Sequence, residues 1–349
     1  MASSRHISWF AEIGLDDRPH VGGKGGSLGE LQRTGIAVPP GFVVRTGAFE
    51  RFLEVLEQEA PVRTRVESLD PGDLAAITAC SRDLRARVEA ATLPRDLQDE
   101  IAAAHAALCG ASAVPVAVRS SATTEDAVDA SFAGLQDTYL WVTGAAETLR
   151  RVCSCWASLY SVESISYRRE RRFPESGVAM GVVVQKMVDA RSSGVMFTRS
   201  PTTGDRSVVT IEAAWGLGSA VVGGEVTPDR WVVNKITGEI STRDISPKSI
   251  QHVPTPAGGV EAVPVAEELQ RAASMSDAEL QALRAIARQV ERHYGRPQDI
   301  EWAVERQNGE ILLLQSRPET VWSAKEAAPV ARALDNPHSH VMSIFGGRR

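Results

Sequence analysis

A β-hairpin near the carboxyl end constrains the fold of this 349-residue chain more than any other segment. Side chains alternate from Asp299 to Val304, with Ile300 and Trp302 on the opposite face from Glu301, and this is the period of a half-buried strand. Asn308-Gly309 then marks a turn, and Ile311–Ser316 is the return strand. The sequence therefore predicts an antiparallel pair with one buried face.

The length of the hairpin loop decides which side chains lie opposite each other. Glu301 and Gln315 are opposite if the loop has the three residues Gln307-Asn308-Gly309, whereas a two-residue loop separates them. One carboxylate and one amide beside Arg317 then suit Mg²⁺ and a nucleotide phosphate. An ordinary surface hairpin is the alternative on this segment alone.

A glycine cluster, "VGGKGGSLGEL" from residue 21, surrounds Lys24. Apolar residues after it follow helical spacing, so we expect a helix from about Gly25 to Thr34-Gly35. Lys24 then lies at a helix N-terminus, where free backbone N–H groups, the helix dipole and the ammonium group favour an anion. A glycine-rich turn with a solvated lysine is the alternative, and the sequence contains no GxxxxGK[ST] motif.

A second polar cluster follows the buried strand Val116–Val118. Arg119 comes directly after this strand and precedes "SSATTEDAVDASFAG", which is rich in hydroxyl groups and carboxylates. Because phosphoryl transfer requires positioning and neutralisation of charge, we expect Arg119 and this loop to form an exposed phosphate clamp.

The remaining segments predict a scaffold of helices and strands. We expect helices within residues 46–109, at Ala145–Ser158 and from Ser276 to Gly295, with strands near residues 182–186, 194–197 and 207–211. The Pro- and Ala-rich residues 251–275 are expected to cross the surface. The glycine-rich residues 211–233 lack the G-x-G-x-x-G fingerprint and are expected to form a lid or a phosphate-side loop.

Composition excludes several classes of protein. A net charge of −6 argues against nucleic acid as the main partner. No apolar segment reaches the roughly 18 residues of a membrane span, and the N-terminus lacks a signal-peptide core. The four cysteines have no redox or zinc-binding spacing, so reduced, buried thiols are expected. These features favour a cytoplasmic protein without a membrane or nucleic-acid partner.

Several motifs together resemble a known enzyme family. In chain order they are "VGGKGGSLGEL", "VPPGFVV", "VAVRSSATTEDAVDASFAGLQDTYL", "VVVQKMV", "GVMFTRSPTTGD", "EAAWGLGSAVVGGEVTPD", "DIEWAVE" and "LLLQSRPETVW". They resemble the ATP-binding domain of phosphoenolpyruvate synthase, pyruvate phosphate dikinase and rifampin phosphotransferase over about residues 8–323.

The resemblance implies an α+β, ATP-grasp-like fold in which two lobes close on ATP and Mg²⁺. It implies an N-terminal lobe at residues 1–190, a C-terminal lobe at 191–325 and a tail at 326–349. By match of motif, the phosphates are held by Lys24 and Arg119, and Arg317 contacts the transferred phosphate. The same match places the remaining site residues as follows: Gln185, Met187 and Val188 line the adenine pocket, and Glu301 and Gln315 bind Mg²⁺.

One family motif is missing from these 349 residues. The family's phosphoryl-carrying histidine follows a glycine-rich turn in a Thr-x-His motif, whereas His338 and His340 lie in a short polar tail and are expected to be disordered or docking residues. In phenylphosphate synthase and similar alkylphenol-phosphorylating enzymes the ATP-binding and histidine parts are separate subunits. The resemblance thus implies an ATP-binding subunit that phosphorylates a partner's histidine, giving AMP and phosphate, for transfer to a hydroxyl such as that of a phenol or cresol.

Two other functions remain open at this stage. A self-contained ATP-grasp kinase would phosphorylate a small molecule directly and would need a second pocket facing the ATP site. A non-catalytic nucleotide sensor or regulatory subunit would be expected to have lost a phosphate-binding or metal-binding group, and none of the expected groups is missing from the sequence.

Overall fold

A computed structural model describes residues 5–110, 114–123, 137–320 and residue 322. These residues form a five-stranded sheet, a six-stranded sheet and a separate two-stranded hairpin, with helices packed on the two larger sheets. The expected hydroxyl-rich loop at residues 124–136 lies outside the described residues, and so do the tail and its two histidines.

The helices and strands alternate irregularly along the chain. The helices are α1 (Arg18–Arg33), α2 (Thr46–Glu59), α3 (Arg63–Glu67), α4 (Leu74–Ala90), α5 (Arg95–Cys109), α6 (Ala145–Ser158), α7 (Val162–Glu170), α8 (Ser219–Val222), α9 (Glu267–Gln270) and α10 (Asp277–Tyr294). The strands are β1 (Ile7–Trp9), β2 (Gly41–Val44), β3 (Val116–Ala122), β4 (Thr138–Val142), β5 (Met180–Lys186), β6 (Ala190–Phe197), β7 (Val208–Trp215), β8 (Asp229–Asn234), β9 (Ile240–Asp244), β10 (Ile250–Pro254), β11 (Val260–Pro264), β12 (Gln298–Glu305) and β13 (Ile311–Pro318).

The five-stranded sheet has the antiparallel order β1-β2-β5-β3-β4. The predicted helices of residues 46–109 and α6 bury their apolar faces in one core with this sheet. In that core the rings of Phe52 and Trp156 stack with their centroids 5.0 Å apart. Spacing of apolar residues along each helix was sufficient to predict this scaffold, because the buried stripe repeats every three to four residues.

The six-stranded sheet has the order β13-β12-β6-β7-β8-β9 and packs against α10. Trp231 and Trp302 are fully buried in this second core. The ends of α10 confirm the prediction: Ser276 and Glu279 form a capping box, and Gly295 ends the helix with a φ of 66°. Two α+β lobes are therefore present, and the boundary after residue 190 stays a prediction.

Residues 251–275 lie mostly at the surface, as expected, but they are not an irregular crossing. They contain the hairpin β10–β11 and the short helix α9. Backbone hydrogen bonds attach this hairpin to both lobes: Gly259 N–H donates to the Trp141 carbonyl at 3.1 Å, and Leu217 N–H donates to the His252 carbonyl at 3.0 Å. Residues without strong periodicity can form strands when neighbouring backbone groups supply the hydrogen bonds.

Helix α1 and the segment that follows it contact strand β13 of the other lobe. The Ser27 hydroxyl of α1 donates to the Ser316 carbonyl of β13 at 2.6 Å, and Leu313 N–H donates to the Ala37 carbonyl at 2.9 Å. These contacts bring the glycine cluster of α1 close to the hairpin β12–β13, although about 290 residues of sequence separate Ser27 from Ser316.

The cysteines agree with the sequence prediction. Cys80, Cys109, Cys153 and Cys155 are all buried and free. Among the helices of the described ranges, none combines the length and the apolar character that a membrane crossing requires.

Candidate functional site

All eight residues predicted for the site line one cleft of about 460 Å³. Strands β3, β4 and β5 contribute one wall, and β6, β12, β13 and the glycine-rich segment before α8 contribute the other. The predicted residues in this cleft are Lys24, Arg119, Gln185, Met187, Val188, Glu301, Gln315 and Arg317. The volume lies in the range of small-molecule sites.

Arg119 lies within a strand and not after it, which corrects the sequence prediction. Strand β3 continues through Ala122, with Ser121 paired to Gly181 of β5. Ser121 is buried because α1 satisfies its hydroxyl, which donates to the Val21 carbonyl at 2.8 Å and accepts from Gly25 N–H at 3.0 Å. Hydroxyl groups in a strand are tolerated when a neighbouring element completes their hydrogen bonds.

The turn before Lys24 is formed by Gly22, whose φ of 74° interrupts α1. A Cβ at Gly22 would lie 1.9 Å from the Ser121 carbonyl oxygen, so glycine is required there. The helix resumes just before Lys24, close to the predicted start at Gly25. Because Gly25 N–H already donates to Ser121, it does not supply the free N–H group expected for an anion.

The Arg119 guanidinium joins the two lobes. Its Nη1 donates to the Leu314 carbonyl at 2.9 Å, and its Nη2 donates to Glu301 Oε2 at 3.0 Å and to Gln315 Oε1 at 2.6 Å. Arg119 is only 8% exposed, which corrects the expectation of an exposed clamp. The phosphate-binding candidate thus contacts both metal-binding candidates.

Glu301 lies opposite Gln315 as predicted, but the predicted loop is wrong. Glu305 N–H donates to the Glu310 carbonyl at 2.9 Å and closes a four-residue loop at 306–309. That loop alone would place Leu314 opposite Glu301. A β-bulge shifts the register between Glu301 and Trp302, restores the pair, and leaves Leu314 as the extra residue whose carbonyl accepts from Arg119.

The adenine-side candidates lie at the end of β5. The Gln185 amide donates to the Pro39 carbonyl at 3.2 Å, and Met187 N–H donates to the Pro115 carbonyl at 3.0 Å, so the segment is fixed by its neighbours. Met187 and Val188 belong to an apolar cluster with Leu217 and Ala303 on the opposite wall. Two apolar walls of this kind suit a flat aromatic ring.

Arg317 is half-exposed, and its Nε lies 3.4 Å from Asp299 Oδ2. Burial raises the pKa of Asp299 to about 6, and the negative charge of Glu319 contributes to the rise. The positive charge of Arg317 acts in the opposite direction but does not cancel it. Asp299 Oδ1 is buried without a hydrogen-bond partner among the described residues. Sequence alternation placed Asp299 on the face of Glu301 but assigned it no role.

The cleft also contains residues that sequence reasoning missed. They come from β4, β6 and the start of α8: Thr138, Leu140, Ser193, Gly194 and Ser219. Only the glycine-rich composition around residues 216–224 pointed to any of them.

Residues 18–337 match the family model described as "Pyruvate phosphate dikinase, AMP/ATP-binding domain". The chain belongs to this family. Its α+β, ATP-grasp-like fold class is thereby confirmed, and the matched family is described as an AMP/ATP-binding domain.

Curated relatives carry the name phosphoenolpyruvate synthase. The chain is 42% identical over 319 residues to a probable phosphoenolpyruvate synthase of Methanothermobacter thermautotrophicus, covering 90% of this chain and 46% of that protein. It is 36% identical over 372 residues to the phosphoenolpyruvate synthase of Pyrococcus furiosus, covering 95% of this chain and 46% of that protein. The chain therefore spans less than half the length of these two relatives.

A solved structure, D-alanyl-alanine synthetase A from Vibrio cholerae, aligns over 70% of this chain and 56% of its own with 12% identity. Its TM-score is 0.24, which is too low to support a conclusion about the site.

Proposed function

We propose that this chain binds Mg-ATP in the cleft and acts as the ATP-side part of a phosphotransferase. The observation that carries the proposal is the convergence of Lys24, Arg119 and Arg317 in one cleft whose other end is apolar. Cations suit a polyphosphate, and apolar walls suit adenine. In this proposal Lys24 and Arg119 hold phosphates, Arg317 contacts the transferred group, and the segment from Gln185 to Val188 contacts the base.

The donor set fits Mg²⁺. Glu301 and Gln315 present oxygens side by side, and the buried Asp299 Oδ1 on the same face has no hydrogen-bond partner among the described residues. Hard cations prefer carboxylate and amide oxygens together with substrate phosphates. We assign Glu301 and Gln315 as ligands and Asp299 as a further oxygen beside them; a bound Mg²⁺ would neutralise charge on the phosphates.

The contacts of Arg119 support a role in assembly of the site. Its guanidinium donates to both candidate ligands, at 3.0 Å to Glu301 Oε2 and 2.6 Å to Gln315 Oε1. With Glu301 and Gln315 as ligands of a bound metal, the Arg119 guanidinium would be available to phosphate oxygens. Its positive charge would then serve the nucleotide as well as Glu301.

The acceptor is proposed to be a histidine outside residues 1–349, on a separate phosphocarrier subunit. ATP, water and the histidine give AMP, phosphate and phosphohistidine, and the phosphoryl group then moves to an acceptor hydroxyl such as that of a phenol or cresol. The support is the resemblance of the ATP-side motifs to those of the split enzymes. A cytoplasmic location belongs to the same proposal.

Binding is tested by calorimetry and thermal unfolding with Mg-ATP. Nucleotide at 100 times its Kd should stabilise the wild type by about 2.7 kcal/mol, and Lys24→Ala and Arg317→Ala should reduce the shift. The matched control is Arg51→Ala, because the Arg51 side chain is 42% exposed against 51% for Arg317 and lies outside the cleft. Equal shifts in Arg317→Ala and Arg51→Ala would remove Arg317 from the site.

Transfer is tested by reconstitution. AMP release should be slow with the chain alone and should start when a histidine-bearing subunit and phenol are added, and changing that histidine to alanine should stop it. Phosphorylation of a small molecule by the chain alone at an ordinary rate, about 1–10³ s⁻¹, would establish the self-contained kinase instead. Mg-ATP binding without turnover under any of these conditions would favour the regulatory subunit.

A further inference from the structure

A serine, a histidine and a glutamate form a hydrogen-bonded chain at the wall of the cleft. Ser219 Oγ lies 2.7 Å from His252 Nδ1, and His252 Nε2 lies 3.2 Å from Glu225 Oε2. Ser219 lines the cleft, whereas His252 is 8% exposed behind it. None of these three residues was named as a phosphate, adenine or metal ligand, although Ser219 and Glu225 lie in the glycine-rich segment expected to form a lid or a phosphate-side loop.

The backbone fixes this arrangement independently of the side chains. His252 on β10 forms bridges to Gly216 and Leu217, and its carbonyl accepts from Leu217 N–H at 3.0 Å. Gly216 has a φ of 74°, and a Cβ there would lie 2.5 Å from the His252 carbonyl oxygen. The glycine-rich segment is therefore held against β10, and Ser219 follows two residues after Leu217.

The hydrogen bonds set the direction of the Ser219 hydroxyl. A carboxylate only accepts, so Glu225 places the imidazole proton on Nε2 of the neutral ring. His252 Nδ1 is then an acceptor, and the Ser219 hydroxyl donates its proton to it. The lone pairs of Ser219 Oγ remain for a donor in the cleft.

The position of Ser219 indicates which donor that is. Leu217 belongs to the apolar cluster with Val188 and Ala303, where the base is proposed to lie. Lys24, Arg119 and Arg317 mark the phosphate end of the same cleft. A nucleoside triphosphate presents hydroxyl donors between its base and its phosphates, on the ribose.

We propose that Ser219, oriented by His252 and Glu225, accepts a hydrogen bond from a ribose hydroxyl and makes this cleft selective for ribonucleotides. The inference rests on the proposed function, since it requires ATP in the cleft. Glu225 and His252 are positioning residues, and Ser219 is the residue that contacts the ligand.

The test compares the Kd values of Mg-ATP, 2′-deoxy-ATP and 3′-deoxy-ATP by calorimetry. In the wild type, one of the deoxy analogues should bind about 3- to 10-fold more weakly than ATP, which is the effect of one partly exposed hydrogen bond. In Ser219→Ala this ratio should fall to about 1, because ATP loses the same bond. Equal Kd values for all three nucleotides in the wild type would refute the inference without any variant.

Two variants of His252 test whether this histidine positions the Ser219 hydroxyl, which contacts the ribose. His252→Phe should lower the ratio as Ser219→Ala does, whereas His252→Asn, whose amide oxygen can replace Nδ1 as acceptor, should retain part of it. The control is Ser241→Ala, an exposed serine outside the cleft whose hydroxyl donates to the Val232 carbonyl at 3.2 Å. This control should leave the Kd values of ATP and both analogues as they are in the wild type.

The outcomes also distinguish this inference from the proposal beneath it. If the wild type binds no ATP, the proposed function fails. If it binds ATP but Ser219→Ala keeps the wild-type ratio, only the role of Ser219 fails. Thermal unfolding of each variant without nucleotide shows whether it is folded.

Discussion

Replacement of the buried Arg119 should destabilise the protein even without nucleotide. Arg119→Ala removes three hydrogen bonds that join β3 to the hairpin β12–β13. The Glu301 carboxylate then lacks its cation, and the Leu314 carbonyl and the Gln315 amide oxygen lack a donor. Breaking a fully buried ion pair costs about 3–5 kcal/mol. Because the Glu301 side chain is 30% exposed and water can reach it, we expect about 2–4 kcal/mol.

The assay is thermal unfolding in the absence of nucleotide and metal. For 349 residues the entropy of unfolding is about 0.7 kcal/mol/K, so the melting temperature should fall by about 3–6 °C. Arg95→Ala is the control for loss of one positive charge, because the Arg95 side chain is 84% exposed and should lower the melting temperature by less than about 1 °C.

A double-mutant cycle shows whether the loss comes from the inter-lobe contact. In the Arg119→Ala background, Glu301→Gln should be less damaging than in the wild type, with a coupling energy of about 1–2 kcal/mol. A melting temperature for Arg119→Ala within 1 °C of the wild type, or no coupling to Glu301, would refute the view that this arginine holds the lobes together.

Two other perturbations test the site. Gly22→Ala should lower the free energy of unfolding by about 2–5 kcal/mol in urea denaturation, because φ is positive there and the new Cβ would lie 1.9 Å from the Ser121 carbonyl oxygen. The control Gly47→Ala should change it by less than about 1 kcal/mol, because no atom lies within 4 Å of the new Cβ. Asp299 has a folded-state pKa of about 6 against an ordinary value of 3.8, so its contribution to stability falls as pH rises between these values. This fall in the free energy of unfolding is at most about 3 kcal/mol, and Asp299→Asn should remove it when measured in EDTA. The variant should therefore gain more stability relative to the wild type at pH 7 than at pH 4. An equal gain at both pH values would contradict the raised pKa of Asp299.

Local sequence patterns were sufficient to predict many of the helices and strands. The repeat of apolar residues predicted α6 and α10 with nearly their observed ends, because caps and buried stripes depend on neighbouring residues in the chain. Alternation in β12 likewise placed Asp299 and Glu301 on one face. The sequence also brought the eight site residues together, but only through the resemblance to a family, since their spacing in the chain carries no distance information.

The remaining features depend on contacts between distant segments. Strand β3 continues through Ser121 because α1 satisfies that hydroxyl from about 100 residues away, and no local rule predicts a buried strand of that composition. The bulge at Leu314 places Glu301 opposite Gln315 although the loop has four residues and not the predicted three. It also supplies the carbonyl that accepts from Arg119.

The sequence by itself determined which residue types were available for phosphate, metal and base, and which helices and strands would carry them. Only the tertiary structure decided that Arg119 contacts Glu301 and Gln315, 182 and 196 residues further along the chain, and that His252 lies behind Ser219. The physical reason is that periodicity and capping are local properties of the chain. Hydrogen bonds between buried polar groups form wherever packing brings a donor to an acceptor.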